Sequence, residues 1–475
     1  MYACSLYRVM ERSRRGTLAS VAGVLALAGC GRPASSGQDE QSTIAADMND
    51  RTGEQMMDSG EQRVSAEAIV AKYDADIYIL ARGELFQAID DTEATLLEAE
   101  DLGSVINDAQ ATLSDGRVLV AADGLLGAAI EQANQVSISG PNEGVELTPA
   151  EAVGGSYAIY RTPPGTSGGR LESFNIDMQY RGGSAVVADG ETGLNLADVH
   201  IKNAGTHAIA LSGGASADIR DARFESTSKD AVNITGCTDV QIDGCEVSDS
   251  NHAVSVVSSS NVTIRDSTIR GAEYSAIALQ EYTTNWKVTG CKAINSGSTP
   301  FAASTVQNGT FVDCVAEGTT NDRQGGFEIE YNADHDDDNR EDPVVGCSVV
   351  SCTARDCNMG FYAREDDSKY ETGIPVFRPQ FVDCKAVDCD TGLFLGDNVV
   401  EAVVRNFDAV DCGTDIVDDG IRTIADGRSA NGGDPATEGQ WFGHADTALE
   451  LDVVVEDTQT GTQYEARAKD GWKKR

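Results

Sequence analysis

Between Leu196 and Cys412 the chain repeats a short phrase, and this repeat limits the available folds more than any other feature. Each copy carries a few apolar or Cys positions, a small polar turn, and an apolar run that alternates. The runs are AIAL at Ala208–Leu211, AVNI at Ala231–Ile234, AVSV at Ala253–Val256, AIAL at Ala276–Leu279, GFEI at Gly326–Ile329, GFYA at Gly360–Ala363 and GLFL at Gly392–Leu395. A second strand falls at ARFES, CEVSD, STIRG, CKAIN, CVAEG, CTARD, CKAVD and FDAVD. The step is 22 residues from Cys245 to Ser267, 24 from Ser267 to Cys291, and 23 from Cys291 to Cys314 and again from Cys384 to Phe407. A fixed period of this length, built from short strands, marks a solenoid whose coils bury their small apolar faces only by stacking. The runs alternate with period two and lack 3.6-residue stripes, which excludes helical repeats.

The coil length, the Asn/Asp/Gly/Ser turns and the apolar ladders resemble the right-handed parallel β-helix of the pectate-lyase-like superfamily. The resemblance covers roughly the middle half of the chain. It implies an all-β fold: a single-stranded right-handed parallel β-helix solenoid with an N-terminal helical cap and a C-terminal β cap. One fold hosts many functions, so the resemblance alone sets no activity. The catalytic signatures of the family, Gly-His-Gly, Asn-Thr-Asp and Arg-x-Pro-x-x-Arg, do not occur in this sequence.

The expected organisation has five parts. Residues 1–30 read as a twin-arginine lipoprotein signal peptide: Arg14-Arg15, an apolar run from Leu18 to Ala28, and a lipobox at Leu27-Ala28-Gly29-Cys30. The run is too short to span a bilayer. Cys30 is the expected site of lipid attachment, and Met10 is a plausible start. Residues 31–63 are polar, lack periodicity and read as a disordered tether. Residues 64–120 form the N-terminal cap and the start of the solenoid, with a strand at Ala75–Leu80 and a helix at Gly103–Leu113. Residues 121–420 form the β-helix. Residues 421–475 form the C-terminal β cap, a tail that resembles the end segment of haloarchaeal β-helix proteins. The expected location is the extracellular face of the cell membrane.

Asp and Glu number 77 against 36 Lys and Arg, a net charge of −41. The acids are spread through every segment, which argues against nucleic acid as a partner, because phosphates need basic patches. The surface resembles that of haloarchaeal proteins. The expected partners are a polysaccharide or surface glycan, and the membrane through the lipid anchor.

Cys245, Cys291, Cys314, Cys352 and Cys384 share one register column, and Cys357, Cys389 and Cys412 share another. Coils stack about 4.8 Å apart, inside the Cα range of a disulfide. Disulfides, a thiolate metal site and packed core thiols are the alternatives; core thiols are favoured, because parallel neighbours point their side chains the same way.

Two coils are long. Cys314 to Cys352 is 38 residues and Cys352 to Cys384 is 32, with the extra residues at Glu330–Val345 and Arg364–Pro379. Long loops on a rigid solenoid are where function concentrates. Within each run the first and third positions after Gly or Ala point inward, and the second and fourth point outward. The outward residues are small until these coils, where Glu328, Tyr362 and Phe394, then Glu330 and Arg364, replace them. Glu281, Tyr331, Glu365 and Asp397 follow at the strand ends.

This acidic and aromatic face is the expected glycan cleft of a polysaccharide lyase or glycoside hydrolase; a non-catalytic glycan-binding or adhesion module is the alternative. Glu328, Glu330, Arg364 and Asp366 are the candidate catalytic residues. Glu281, Tyr331, Tyr362, Glu365 and Asp397 are the candidate ligand contacts. Two carboxyls suit hydrolysis; a lyase needs a base, and Arg364 serves only if strongly perturbed. Asp334, Asp336 and Asp338 are spaced to wrap a Ca²⁺. On an outward face, removing charge from Glu330 and Arg364 is expected to cost little stability. His207 and His252, at turns of separate coils, are read as surface residues with no acid in register.

Overall fold

The computed structural model describes residues 66–141, 144–150, 158–190, 192–319, 325–332, 343–365 and 375–425. It also gives the backbone of strands Arg428–Ser429, Val454–Asp457, Thr462–Arg467 and Gly471–Lys474. The chain divides into two units, Met1–Arg63 and Val64–Arg475, and the described residues belong to the second. The signal peptide with Cys30 and the tether lie outside the described residues.

The second unit opens with a short helix, Ala66–Lys72, and an antiparallel meander, Ile77–Arg82, Leu85–Asp90 and Thr95–Ala99. A helix follows at Leu102–Ala111, close to its expected place. Asp101 caps it, accepting the Ser104 amide N–H at 2.8 Å, as a short acid before an apolar-periodic run should. Leu102, Val105, Ile106 and Ala109 join the same core as Ile77, Val118 and Ile138 of the first strands. Gly103 lets the helix come close: a Cβ there would stand 2.1 Å from the Ala128 carbonyl oxygen.

From Gly116 to Ser429 the strands pair in parallel. Each central coil supplies three strands. One enters a 12-stranded sheet, here the front sheet; two enter a 29-stranded sheet, here the back sheet. The repeat phrase shows two of the three. The third, such as Thr238–Asp243 or Ser260–Arg265, carries so many outward polar residues that its apolar positions are diluted. The coil ladder continues to Ser429, past the expected boundary at 420. Val454–Asp457, Thr462–Arg467 and Gly471–Lys474 form a separate three-stranded antiparallel sheet.

The two back-sheet strands of a coil meet at a one-residue corner. Asp198, Asp221, Gly244, Asp266, Gly290, Asp313, Ser351, Asp383 and Asn406 occupy it in successive coils, all with φ between +48° and +64°. Asn, Asp and Gly tolerate this left-handed conformation best. Part of the acid excess therefore answers to backbone geometry.

Left-handed turns of this kind also explain the cysteines: five follow a corner just named and five follow a left-handed residue elsewhere in the coil. All ten described cysteines are buried and in no disulfide. Each follows a left-handed residue, from Gly236-Cys237 to Asp411-Cys412. Each thiol donates back across the corner to the carbonyl two residues upstream, at 3.2 Å for Cys357 and 3.7 Å for Cys347. Ser259 and Ser267 fill the same slot with the same bond, at 2.8 and 2.9 Å. The thiol thus acts as a small corner-closing donor. Burial pushes the Cys245, Cys347 and Cys384 thiols up to about 12, which keeps them protonated and unreactive.

Candidate functional site

The front sheet carries the candidate residues in the expected register. Ala278, Ala302, Glu328, Tyr362 and Phe394 are partners across successive coils, as are Gln280, Ser304, Glu330 and Arg364. The inward neighbours Phe301, Phe327 and Phe361 stack at 4.8 and 5.0 Å and fix the three strands against the core.

The outward face is nevertheless closed here. Glu328 and Glu330 are each 6% exposed, and Tyr362 is fully buried. Both carboxylates converge on one hydroxyl: Ser304 Oγ lies 3.0 Å from Glu328 Oε1 and 2.9 Å from Glu330 Oε1. The Tyr362 hydroxyl donates to Glu328 Oε2 and lies 2.8 Å from Thr299 Oγ1. Burial, and then the negative charge of Glu328 and Glu330, hold the Tyr362 hydroxyl well above the usual tyrosine range. It remains a donor at any ordinary pH. The Arg364 guanidinium sits over the Tyr362 ring, 5.0 Å from its centroid. Gly325 makes room for that ring, since a Cβ there would stand 2.6 Å from Tyr362 Cδ1.

The expected low cost of altering Glu330 is therefore corrected: its carboxylate is buried and hydrogen-bonded, and such groups are expensive to leave half-satisfied. Tyr331 is corrected as a ligand contact. It takes the inward parity after Glu330 and lies in the apolar core at 1% exposure. Glu365 follows on the Arg364 strand, and its backbone N–H donates to Asn398 Oδ1 at 2.9 Å. Glu281 lies at a left-handed turn after Ile277–Gln280, where its carbonyl accepts from Ser258 Oγ at 3.0 Å. Asp397 is exposed in the turn after Thr391–Leu395. Asp366, and the Ca²⁺ candidates Asp334, Asp336 and Asp338, lie outside the described residues. Among the described residues no three His, Cys, Asp or Glu side chains gather as a metal site needs.

Ser304, Thr299 and Gly325 were missed as functional positions. Ser304 stands in the fourth-position column, but a small residue there gives no sign that two acids will close on it. The reading of His207 and His252 is also overturned. Each immediately precedes the Ala of its run, and so does Asp230, so the three stack in register with the acid between the imidazoles.

Chemically, one hydroxyl offers one proton to two acids. Ser304 has one proton, so it donates to one carboxylate at a time. The two carboxyl groups thus stand side by side on one hydroxyl, and a carboxyl pair is what acid–base chemistry on glycosides uses.

With this geometry in place, comparisons bear on its kind. Residues 184–335 match the family described as right handed beta helix region. A comparison with curated proteins gave no match. Among solved structures, the catalytic unit of a thermostable α-1,3-glucanase from Streptomyces thermodiastaticus superposes with a TM-score of 0.52 at 12% identity, covering 73% of this chain and 67% of that one. The A-module of a mannuronan C-5 epimerase from Azotobacter vinelandii gives a TM-score of 0.50 at 11% identity, covering 70% of this chain and 95% of that one. These likenesses concern the fold. The chain is a right-handed parallel β-helix protein. More particularly, it is an all-β parallel solenoid of about 12 turns with few helices.

Proposed function

We propose that this β-helix acts on a polysaccharide, hydrolysing a glycosidic bond with Glu328 and Glu330 as the nucleophile and acid/base pair of a retaining mechanism and Tyr362 as the positioning donor to Glu328. The observation that carries the reading is the convergence of the two carboxylates on Ser304 Oγ. It holds two of their oxygens within about 6 Å, near the roughly 5–5.5 Å between carboxyl groups of retaining glycosidases. Arg364 stacks as a cation over Tyr362, which suits charge stabilisation and speaks against its use as a lyase base. The similar solved structures are by name an α-1,3-glucanase and a mannuronan epimerase, so polysaccharide is the substrate class extended to this chain.

The test is release of reducing ends by the purified chain from neutral and uronate-rich polysaccharides. Glu328→Gln and Glu330→Gln should each lower the rate at least about a hundredfold, the usual scale of a general acid or base. Unsaturated products in place of reducing ends would turn the reading to a lyase. Burial of Glu328, Glu330 and Tyr362 favours a second reading, a non-catalytic glycan-binding or adhesion module. Retention on a polysaccharide without any product would establish it.

The proposal includes display at the cell surface through a lipid on Cys30. Cys30→Ser should move the protein from the membrane fraction to the medium, and unchanged membrane retention would remove the anchor from the account.

A further inference from the structure

The last coils carry a row of thiols that the reading just given does not use. After its second back-sheet strand each central coil makes another left-handed turn, from Asn203 to Asp411, and the next residue fills a small slot in the wall. Register along the back sheet puts these slot residues in one column. The earlier coils, from Ala204 to Thr319, fill the slot with Ala, Ser or Thr. The next three fill it with Cys357, Cys389 and Cys412. Packing is satisfied by the smaller residues, so packing alone does not call for three thiols in succession.

The three sulfurs are held alike. Each thiol donates to the carbonyl two residues upstream, that of Arg355 at 3.2 Å, Val387 at 3.4 Å and Val410 at 3.6 Å. Those three residues are register partners, so the sulfurs form a row along the solenoid axis, stepped by the coil rise of about 4.8 Å. Cys389 is the middle member, within side-chain hydrogen-bonding reach of both Cys357 and Cys412. A row has no common centre, in keeping with the absence, among the described residues, of three donors gathered round one point. It therefore does not suit a tetrahedral cation such as Zn²⁺, which needs its ligands on all sides. A cation bound between two neighbours meets a different demand. Two metal–sulfur bonds of about 2.3 Å laid end to end span about 4.6 Å, close to the coil rise. Soft thiolates select Cu(I). The exposed acids Asp356, Asp388 and Asp411 each precede one of the thiols and give the row a negative rim.

We propose that Cys357, Cys389 and Cys412 form a binding site for a soft, two-coordinate cation of the Cu(I) class, held linearly between Cys389 and one of its two neighbours. Binding breaks two S–H bonds and forms two metal–sulfur bonds. The two protons leave to water, and no atom changes oxidation state. The bound unit carries one negative charge, since two thiolates outweigh one Cu(I). Because Cys389 belongs to both possible pairs, the row holds one such cation, and Cys389 is the ligand it cannot do without. Cys357, Cys389 and Cys412 retain 4%, 3% and 6% exposure, whereas Cys314 and Cys352 of the other column retain none, so the row at the chain's last coils is the one a cation can reach.

The experiment titrates the reduced full chain, without oxygen, with Cu(I) presented by a coloured competing chelator, and separately with Zn(II). Cys389→Ser and the double variant Cys357→Ser/Cys412→Ser are compared with the parent. Ser already occupies this column at Ser250 and Ser296, so both variants should melt with the parent. All other cysteines are common to the three proteins, and their uptake cancels in the comparison. The parent should withdraw one equivalent of Cu(I) more than either variant, with release of about two protons for that equivalent. Zn(II) uptake should be the same in all three. X-ray absorption of the parent at one equivalent of Cu(I) should show two sulfur neighbours. Equal Cu(I) uptake by parent and Cys389→Ser overturns the proposal, as does full uptake by the double variant. A loss of Zn(II) uptake in Cys389→Ser, or three or more sulfurs around the bound Cu(I), overturns the linear geometry on which it stands. The readout is metal uptake at the back of the solenoid, so it does not depend on turnover at Glu328 and Glu330.

Discussion

The same face of the same sheet is built in two ways. On the coils of Ile209–Ser212, Val232–Thr235 and Val254–Val257, the outward positions hold Ala210, Asn233 and Ser255, side chains too short to join across coils. Polar chemistry there collects at the preceding turn, around Asp230. On the coils of Phe301–Ser304, Gly325–Tyr331 and Met359–Glu365, the equivalent positions hold Ala302, Glu328 and Tyr362, then Ser304, Glu330 and Arg364. These reach their neighbours and close into a buried network. The difference shows that "outward" on a solenoid is a direction and not an environment. What a slot pointing away from the core meets depends on which side chains its neighbours supply.

The contrast is most directly broken by removing a member of the closed network. Glu328→Ala leaves the Tyr362 hydroxyl without its acceptor and Ser304 with one carboxylate fewer, and should destabilise by about 1–3 kcal/mol. The parallel change on the other region, Ser255→Ala, removes no network and should cost less. Equal effects in thermal or denaturant unfolding would abolish the distinction between the two regions.

An effect of similar size is expected at Gly325. Its Ala variant places a Cβ against the Tyr362 ring, and the ring must shift, at the price of about 1–3 kcal/mol typical of overpacking. Near-ultraviolet circular dichroism should report the altered tyrosine environment. An unchanged spectrum with wild-type stability would mean that the ring is not held as tightly as the geometry says.

The smallest effect concerns pH, and it belongs to the earlier coils. Burial lowers the His207 pKa, the facing Asp230 raises it in part, and Lys229 lowers it further; the net direction is below the ordinary 6.5. The unfolded chain therefore binds the His207 proton more readily than the folded one. Stability from this group is full above about pH 6.5 and is lost as pH falls through the folded-state value. His207→Asn should flatten that part of the stability profile, seen as melting temperature against pH. An identical acid limb in both proteins would show that His207 does not contribute to it.

These regions also show how far the sequence reaches. The period, the parity of each run and the placement of Glu328 and Glu330 on one outward face were all legible, because they follow from local rules: a strand alternates, and a coil repeats. The left-handed corner was partly legible too, since Gly, Asp or Ser precedes every described cysteine. Tyr331 was misread because the alternation was not carried one residue further along its strand. The register of Asp230 between two histidines is present in the spacing, but the apolar pattern carries no mark of it, because its run begins like its neighbours. What the tertiary structure alone decided is the environment of each outward slot. Glu328 and Glu330, 24 and 26 residues from Ser304 in sequence, meet on its hydroxyl only when their coil is stacked in register on the coil of Ser304. Backbone geometry sets the direction of a side chain residue by residue, whereas burial and hydrogen bonding depend on which coils lie beside it, and that is fixed only when the solenoid closes on itself.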